Sequence, residues 1–180
     1  ASPGLTEAAG YDYGAVFNYP NDVWRGMLTY RETSEDFRPD LGFVGRRGER
    51  AVFGEFEYRP RVGGAIRRFE FGLEPDVRWS LEDGDVDSAS VEIRPFGVEF
   101  ESQDEAYVFV TPTHERLLSP FQIDDAALLP VGDYDFVRYG AEATSSDARR
   151  ISGRLRLEHG SFYDGDSVGA GTDYGFNIRF

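Results

Sequence analysis

Apolar and polar residues alternate with a period of two along most of this chain. Gly, Pro, Asn and Asp interrupt the alternation at intervals, the pattern of β-strands joined by turns. Read this way, the sequence predicts nine extended runs, at residues 11–19, 22–32, 50–59, 65–79, 87–100, 104–113, 132–144, 148–159 and 172–180. The joints between them differ in length. Tight ones follow the first, third, fifth and seventh runs, at 20–22, 60–64, 102–103 and 145–147. The second, sixth and eighth runs end in long loops, and the fourth in the intermediate Glu82-Asp83-Gly84-Asp85. Short turns on one rim and long loops on the other are how outer-membrane barrels are built. The expectation is an all-β fold: an antiparallel up-and-down meander of about nine strands, part of an outer-membrane-type β-barrel.

Four runs define the faces most clearly. Tyr13, Ala15, Phe17 and Tyr19 share one face of the first, and Trp24, Gly26, Leu28 and Tyr30 one face of the second. In the fourth, Phe69, Phe71 and Leu73 oppose Arg68, Glu70, Gly72 and Glu74; in the eighth, Ile151, Gly153, Leu155 and Leu157 oppose Arg150, Ser152, Arg154, Arg156 and Glu158. A soluble sheet with one wet face also alternates. The mixture of Arg and Glu on one polar face, which suits a lumen laced with ion pairs, favours the barrel. Pro75, Pro95 and Pro112 fall inside runs, where proline removes a ladder hydrogen bond. The apolar phase also switches near Pro95, from Val91 and Ile93 to Phe96, Val98 and Phe100, so a β-bulge is expected there. Helical periodicity is confined to 124–129, within a loop.

The chain has 180 residues, enough for one domain with a real core, and its mean hydropathy of -0.47 leaves no apolar run approaching the roughly 18 residues of a membrane helix. Barrel strands need only alternate, so this excludes helical spans and not a barrel. A net charge of -14 argues against nucleic acid, which is held by clustered cations. All 19 basic residues are Arg, and with no cysteine there is no disulfide framework or thiolate site.

Several segments form an ordered set: "EDFRPDLGFVGRRGER", "YRPRVGGAIRRFEF", "GVEFES", "ERLLSPFQI", "LPVGDYDFVRY" and "GSFYDG". Together they resemble the uncharacterised C-terminal barrel region of bacterial secreted proteins that carry a family-nine-like carbohydrate-binding module upstream. The resemblance covers the chain from about Tyr19 to Phe180. It implies a location in the bacterial outer membrane, outer-membrane lipid as partner, and glycan reached through the upstream module. No catalytic residues are established in that family to carry over to positions here, and the resemblance implies further strands beyond this region; no cofactor is expected.

Candidate chemistry is sparse. The segment 36–50 sets Phe37, Leu41, Phe43 and Val44 among arginines, so it is expected to fold inward with Phe43 shielded and at least one of Arg46, Arg47 or Arg50 paired to a carboxylate. A hairpin tip packed on its own side chains is the alternative. His114 and His159 close two runs near Ser119, Ser161, Asp124 and Asp164, the residue types of a Ser-His-acid hydrolase at a barrel mouth; ordinary rim histidines are the simpler reading. Asp83, Asp85 and Asp87 begin like a calcium loop, but Ser88 and Arg94 stand where it needs Gly and Glu, so an EF-hand is rejected. Asp164-Gly165-Asp166 reads first as a turn, and no metal site is expected. Trp24 and Trp79 could stack on sugars, but interfacial belts are the more natural use in a barrel.

The reading that follows is a single region, 1–180, of a larger barrel, because an odd strand count leaves at least one strand to precede Tyr11. It would serve as anchor, conduit or docking platform for a glycan-related surface protein, more readily than as an enzyme. The rivals are a soluble glycan-binding or glycan-hydrolysing β-sandwich, and a barrel-mouth hydrolase acting through His114 and His159.

Overall fold

A computed structural model describes residues 10–38, 46–122, 128–163 and 165–176. The strands are β1 (Asp12–Pro20), β2 (Trp24–Thr33), β3 (Glu49–Tyr58), β4 (Arg61–Gly63), β5 (Ile66–Ser80), β6 (Val86–Phe100), β7 (Glu105–Leu117), β8 (Phe121–Gln122), β9 (Leu128–Leu129), β10 (Gly132–Thr144), β11 (Ile151–Phe162) and β12 (Gly165–Phe176). Nine of them form one antiparallel meander in the order β1-β2-β3-β5-β6-β7-β10-β11-β12, with β4 paired to β5 alongside. The strands β8 and β9 make a separate two-stranded ribbon. β1 and β12 are the two edges and do not pair with each other, so the sheet is not closed into a barrel.

The meander agrees with the alternation in the sequence, with two exceptions. The long loop expected after the eighth run is absent. β11 continues to Phe162 and β12 starts at Gly165, with Tyr163 at φ 54° in the turn between them. The ladder through Gly165, Gly169, Gly171 and Gly175 makes this strand poor in side chains, and that is why it reads as a loop. Leu128 and Leu129, at the end of the stretch expected to be helical, are extended and pair with Phe121 and Gln122; residues 123–127 lie outside the described residues. Marked length on one rim is thus confined to the connections 34–48 and 118–131, while 81–85 is as short as the turns opposite.

Register fixes the two faces. Cross-strand pairs such as Phe17↔Leu28, Trp24↔Tyr58, Phe56↔Leu73, Leu73↔Ile93, Phe96↔Val108, Val108↔Ala141 and Ala141↔Leu157 put the apolar residues of β1 to β11 on one side. Pairs such as Arg25↔Glu57, Gly72↔Arg94, Glu142↔Tyr107 and Glu142↔Arg156 put the charged residues on the other. The sheet curls toward the charged side. Arg156 on β11 reaches Glu92 on β6 at 3.3 Å, although β7 and β10 lie between them and three strand spacings in a flat sheet span about 14 Å. Burial follows the curl: Phe109 (3% exposed), Glu99 (3%), Ala51, Phe136 and Thr111 are enclosed on the charged face. On the apolar face Phe17 is 62% exposed and Ile151 66%.

The three prolines sit where the ladders open. Between β3 and β5 pairing stops after Phe53↔Asp76 and resumes at Phe56↔Leu73, a gap that contains Pro75. Between β6 and β7 it stops at Ser90↔Thr113 and resumes at Ile93↔Val110, a gap that contains Pro112. Pro95 lies in the register shift between Ile93 and Phe96, the expected bulge, which returns Phe96, Val98 and Phe100 to the apolar side. Each missing N–H is accommodated by a local break in pairing, so none of the three ends its strand.

A polar clasp joins two turns on the rim opposite the longer connections. Asp104 in the β6–β7 turn accepts from Ser102 Oγ (2.6 Å), Ser146 N (2.9 Å) and Arg149 Nε (2.8 Å), the last two from the β10–β11 turn. The Arg149 guanidinium, followed by the Ser102 and Ser146 donors, holds the Asp104 carboxyl well below the usual carboxylate range. A depressed folded-state pKa contributes stability above the unfolded value, near pH 4, and loses it as pH falls through the folded value. Unfolding midpoints of the wild type are therefore expected to be flat in this contribution from pH 5 to 7 and to decline below pH 4. Asp104→Asn should remove that part of the acid dependence, and an identical acid profile in the variant would show the clasp to be energetically idle.

Candidate functional site

A continuous network of ion pairs crosses the charged face. Arg25 Nε lies 3.2 Å from Glu57, Glu57 3.5 Å from Arg94 Nη1, Arg94 Nε 3.0 Å from Glu92, Glu92 3.3 Å from Arg156 Nη2, Arg156 3.4 Å from Glu158, and Glu158 2.9 Å from Arg138 Nη1. The path runs from β2 to β11. Arg25 also meets Glu55, Arg94 meets Glu74, and both Arg154 and Arg156 meet Glu142. A guanidinium presents five donors in a rigid fork and can satisfy several carboxylates at once, which lysine's point charge cannot do so readily. An all-arginine chain suits this face for that reason.

Aromatic rings support the guanidiniums from below. Arg156 lies 4.0 Å above the Phe109 ring and Arg94 4.9 Å from that of Tyr107, both within cation–π range. Phe109 is directly opposite Gly140, where an added Cβ would fall 2.3 Å from Phe109 Cζ. Gly140 is therefore the space into which Phe109 lies flat, and Phe109 is the floor on which Arg156 rests. Nothing in the alternation marks Gly140 or Phe109; only the register puts them opposite each other.

The outer, apolar side carries a hollow of about 530 Å³ lined by Phe17, Tyr19, Trp24, Phe56, Tyr58 and Leu73 among others. Trp24 stacks on Tyr58 with ring centroids 4.3 Å apart at its edge. Trp79 pairs in register with Arg50 and Val86 near the other ends of the strands. The two tryptophans thus mark opposite rims of one face.

The remaining sequence candidates are dispersed. Arg50 Nε bonds Glu32 at 2.9 Å, and Glu32 also accepts from Tyr11 Oη (3.0 Å) and Tyr30 Oη (2.6 Å), closing the apolar side at its rim. Arg46 and Arg47 are exposed, and Phe43 lies outside the described residues. His114 Nδ1 is 2.9 Å from Asp135 Oδ1 on the apolar side. His159 pairs in register with Tyr139, so it sits four positions along β10 from Asp135 and does not join that pair. Ser161 Oγ accepts from Val137 N at 3.0 Å, and no hydrogen bond among the described residues joins either histidine to a serine. Asp124 and Asp164 lie outside the described residues. Asp83 is taken up by Arg116, at 2.5 Å, and by the Asp85 N–H, which together hold its carboxyl below the usual range. Among the described residues no group of three or more His, Cys, Asp or Glu is placed to hold a metal ion.

Gly140→Leu should force Phe109 out of its position and unseat Arg156. It should lower unfolding stability by about 1–3 kcal/mol, the range for overpacking, read by denaturant titration. Phe109→Ala in the same background should then cost less than it does alone, since the ring would already be displaced. Additive losses would mean that the two positions are independent.

No family model matches this chain, and neither the curated proteins nor the solved structures contain a significant match, so the likeness drawn from its motifs stands on those motifs alone.

Proposed function

We propose that this chain is a lipid-facing sheet of an outer-membrane-type β-barrel, serving as anchor, conduit or docking platform of a bacterial surface protein. The observation that carries this reading is the inversion of burial. Charged side chains such as Glu57 and Glu99 lie on the enclosed side, and most of the exposed large apolar ones, from Phe17 on β1 to Leu157 on β11, lie on the open side, with Phe109 and Phe136 buried among the charges. A water-soluble sheet does the reverse, and a soluble monomer rarely exposes a contiguous apolar patch larger than a few hundred Å². In a bilayer the arrangement is favourable, because the apolar residues of the open side face hydrocarbon and the strands between the two edges make their ladder bonds inside the sheet.

The β-sandwich alternative needs a second sheet against the apolar face. Among the described residues the only other sheet is the β8–β9 ribbon of four residues, far too small to cover nine strands. No helix in the described residues is long and apolar enough to cross a membrane, which leaves crossing by strands untouched. Trp24 and Trp79 at opposite rims of the apolar side suit the two interfacial belts of a barrel. The glycan association rests on the motif resemblance, and outer-membrane lipid is the partner that the apolar face itself calls for.

Site-directed spin labels test the reading. In liposomes, labels at Leu155 and Leu157 should be relaxed by a lipid-soluble quencher such as oxygen, while labels at Ser152 and Arg154 respond to a water-soluble one. Leu157→Arg should impair insertion by about 2–4 kcal/mol if the position is near the midplane. Labels at Leu155 and Leu157 that respond only to the aqueous quencher would rule out the lipid-facing assignment.

A further inference from the structure

The inner face is not uniformly charged. Toward the rim that bears the longer connections, β6 and β7 carry hydroxyls in place of arginine and glutamate: Ser88, Ser90, Thr111 and Thr113. Two adjoining hollows of about 380 and 330 Å³ lie over them and share Asp76, Ser90 and Arg138 as lining. Register places Asp76, Ser90, Thr113 and Phe136 in one row across β5, β6, β7 and β10. Phe136 holds Phe162 edge-on, with centroids 5.6 Å apart and planes at 68°, and Phe162 is 39% exposed beside the trough.

Valences left open here identify the ligand chemistry. The charges are already answered within the protein: Arg78 by Glu49 (3.0 Å) and Asp76 (3.1 Å), and Arg138 by Glu158 (2.9 Å), while Glu115 accepts from Tyr163 Oη at 2.9 Å. The four hydroxyls, by contrast, make no hydrogen bond to the described residues, and Thr113 Oγ1 is buried without a partner. The ladder between β6 and β7 is also open beside them, at 91–92 and 111–112. The charges here are already neutralised in pairs, so a charged ligand would find no uncompensated counter-charge in the trough. A neutral molecule with several hydroxyls and one apolar ring face would instead meet Ser88 and Ser90, spare carboxylate lone pairs on Asp76, spare N–H groups on Arg78 and Arg138, and the ring of Phe162.

We propose that this trough binds a neutral sugar, as a single residue or a short oligosaccharide. The inference deepens the conduit reading by naming its solute class, and rests on that reading only in taking the inner face to be open to water. The protein in mild detergent is titrated with maltotriose and with cellotriose under saturation-transfer NMR, which reports contact between sugar protons and aromatic rings. At least one trisaccharide should bind. Phe162→Ala should weaken it about three- to tenfold and Ser90→Ala up to about fivefold, while Trp24→Ala on the outer side leaves it unchanged. Folding of each variant is checked by circular dichroism. The proposal is overturned if the folded protein binds neither sugar, if both inner-face variants bind like wild type, or if trigalacturonate, the acidic counterpart, binds as tightly. A protein that binds the trisaccharide but does not insert into liposomes overturns the membrane reading alone; one that inserts and binds neither sugar overturns the trough alone.

Discussion

A carboxylate enclosed in this sheet is enclosed because arginine lies beside it, and the rest of the architecture depends on that pairing. Glu57 is within ion-pair distance of Arg25, Arg59 and Arg94, and Glu99 of Arg67 and Arg68. A solvent-exposed pair contributes only up to about 1 kcal/mol, whereas removing one partner of an enclosed pair leaves an uncompensated charge at a cost of about 3–5 kcal/mol. The network is therefore better understood as what makes the curl permissible than as a store of stability. Without it, bringing β6 and β11 close enough for Glu92 to meet Arg156 would concentrate like charges on a concave surface.

Curvature in turn decides which environment each face meets. Side chains on the concave side converge, and apolar ones there such as Ala51, Phe109 and Phe136 are buried among polar neighbours. Those on the convex side diverge, so even cross-strand neighbours such as Trp24 and Tyr58 cannot shield each other from the surroundings. No choice of rotamer can bury a convex apolar face. Its exposure therefore follows from the direction of curl more than from composition.

Irregularities along the strands serve the same division. The bulge at Pro95 keeps Phe96 and Phe100 on the convex side after a phase slip that would otherwise have turned them inward. Pro75 and Pro112 open ladders on both sides of the β5–β6 hairpin, next to the stretch where hydroxyls replace the ion pairs. A glycine opposite a phenylalanine, Gly140 and Phe109, supplies the thickness that one guanidinium needs.

Much of the fold was legible in the sequence, because a period-two pattern has one geometric meaning. The alternation at Tyr13 to Tyr19, Phe69 to Leu73 and Ile151 to Leu157 assigns these residues to a common face, and register confirms the assignment. The slip near Pro95 likewise announced its bulge. Where side chains are few, as in the glycine-rich β12, the pattern fades and a strand passes for a loop. The candidate site was less legible, since its members are distant in sequence. Arg156 and Glu92 are 64 positions apart, and neither differs locally from any other charged residue on a strand. Sequence alone determined which residues share a face, because that depends on the backbone's own repeat. The mixture of Arg and Glu also pointed to that face as the enclosed one; only the tertiary structure decided how far it is enclosed and which guanidinium meets which carboxylate, because both depend on the curl, a property of all nine strands together.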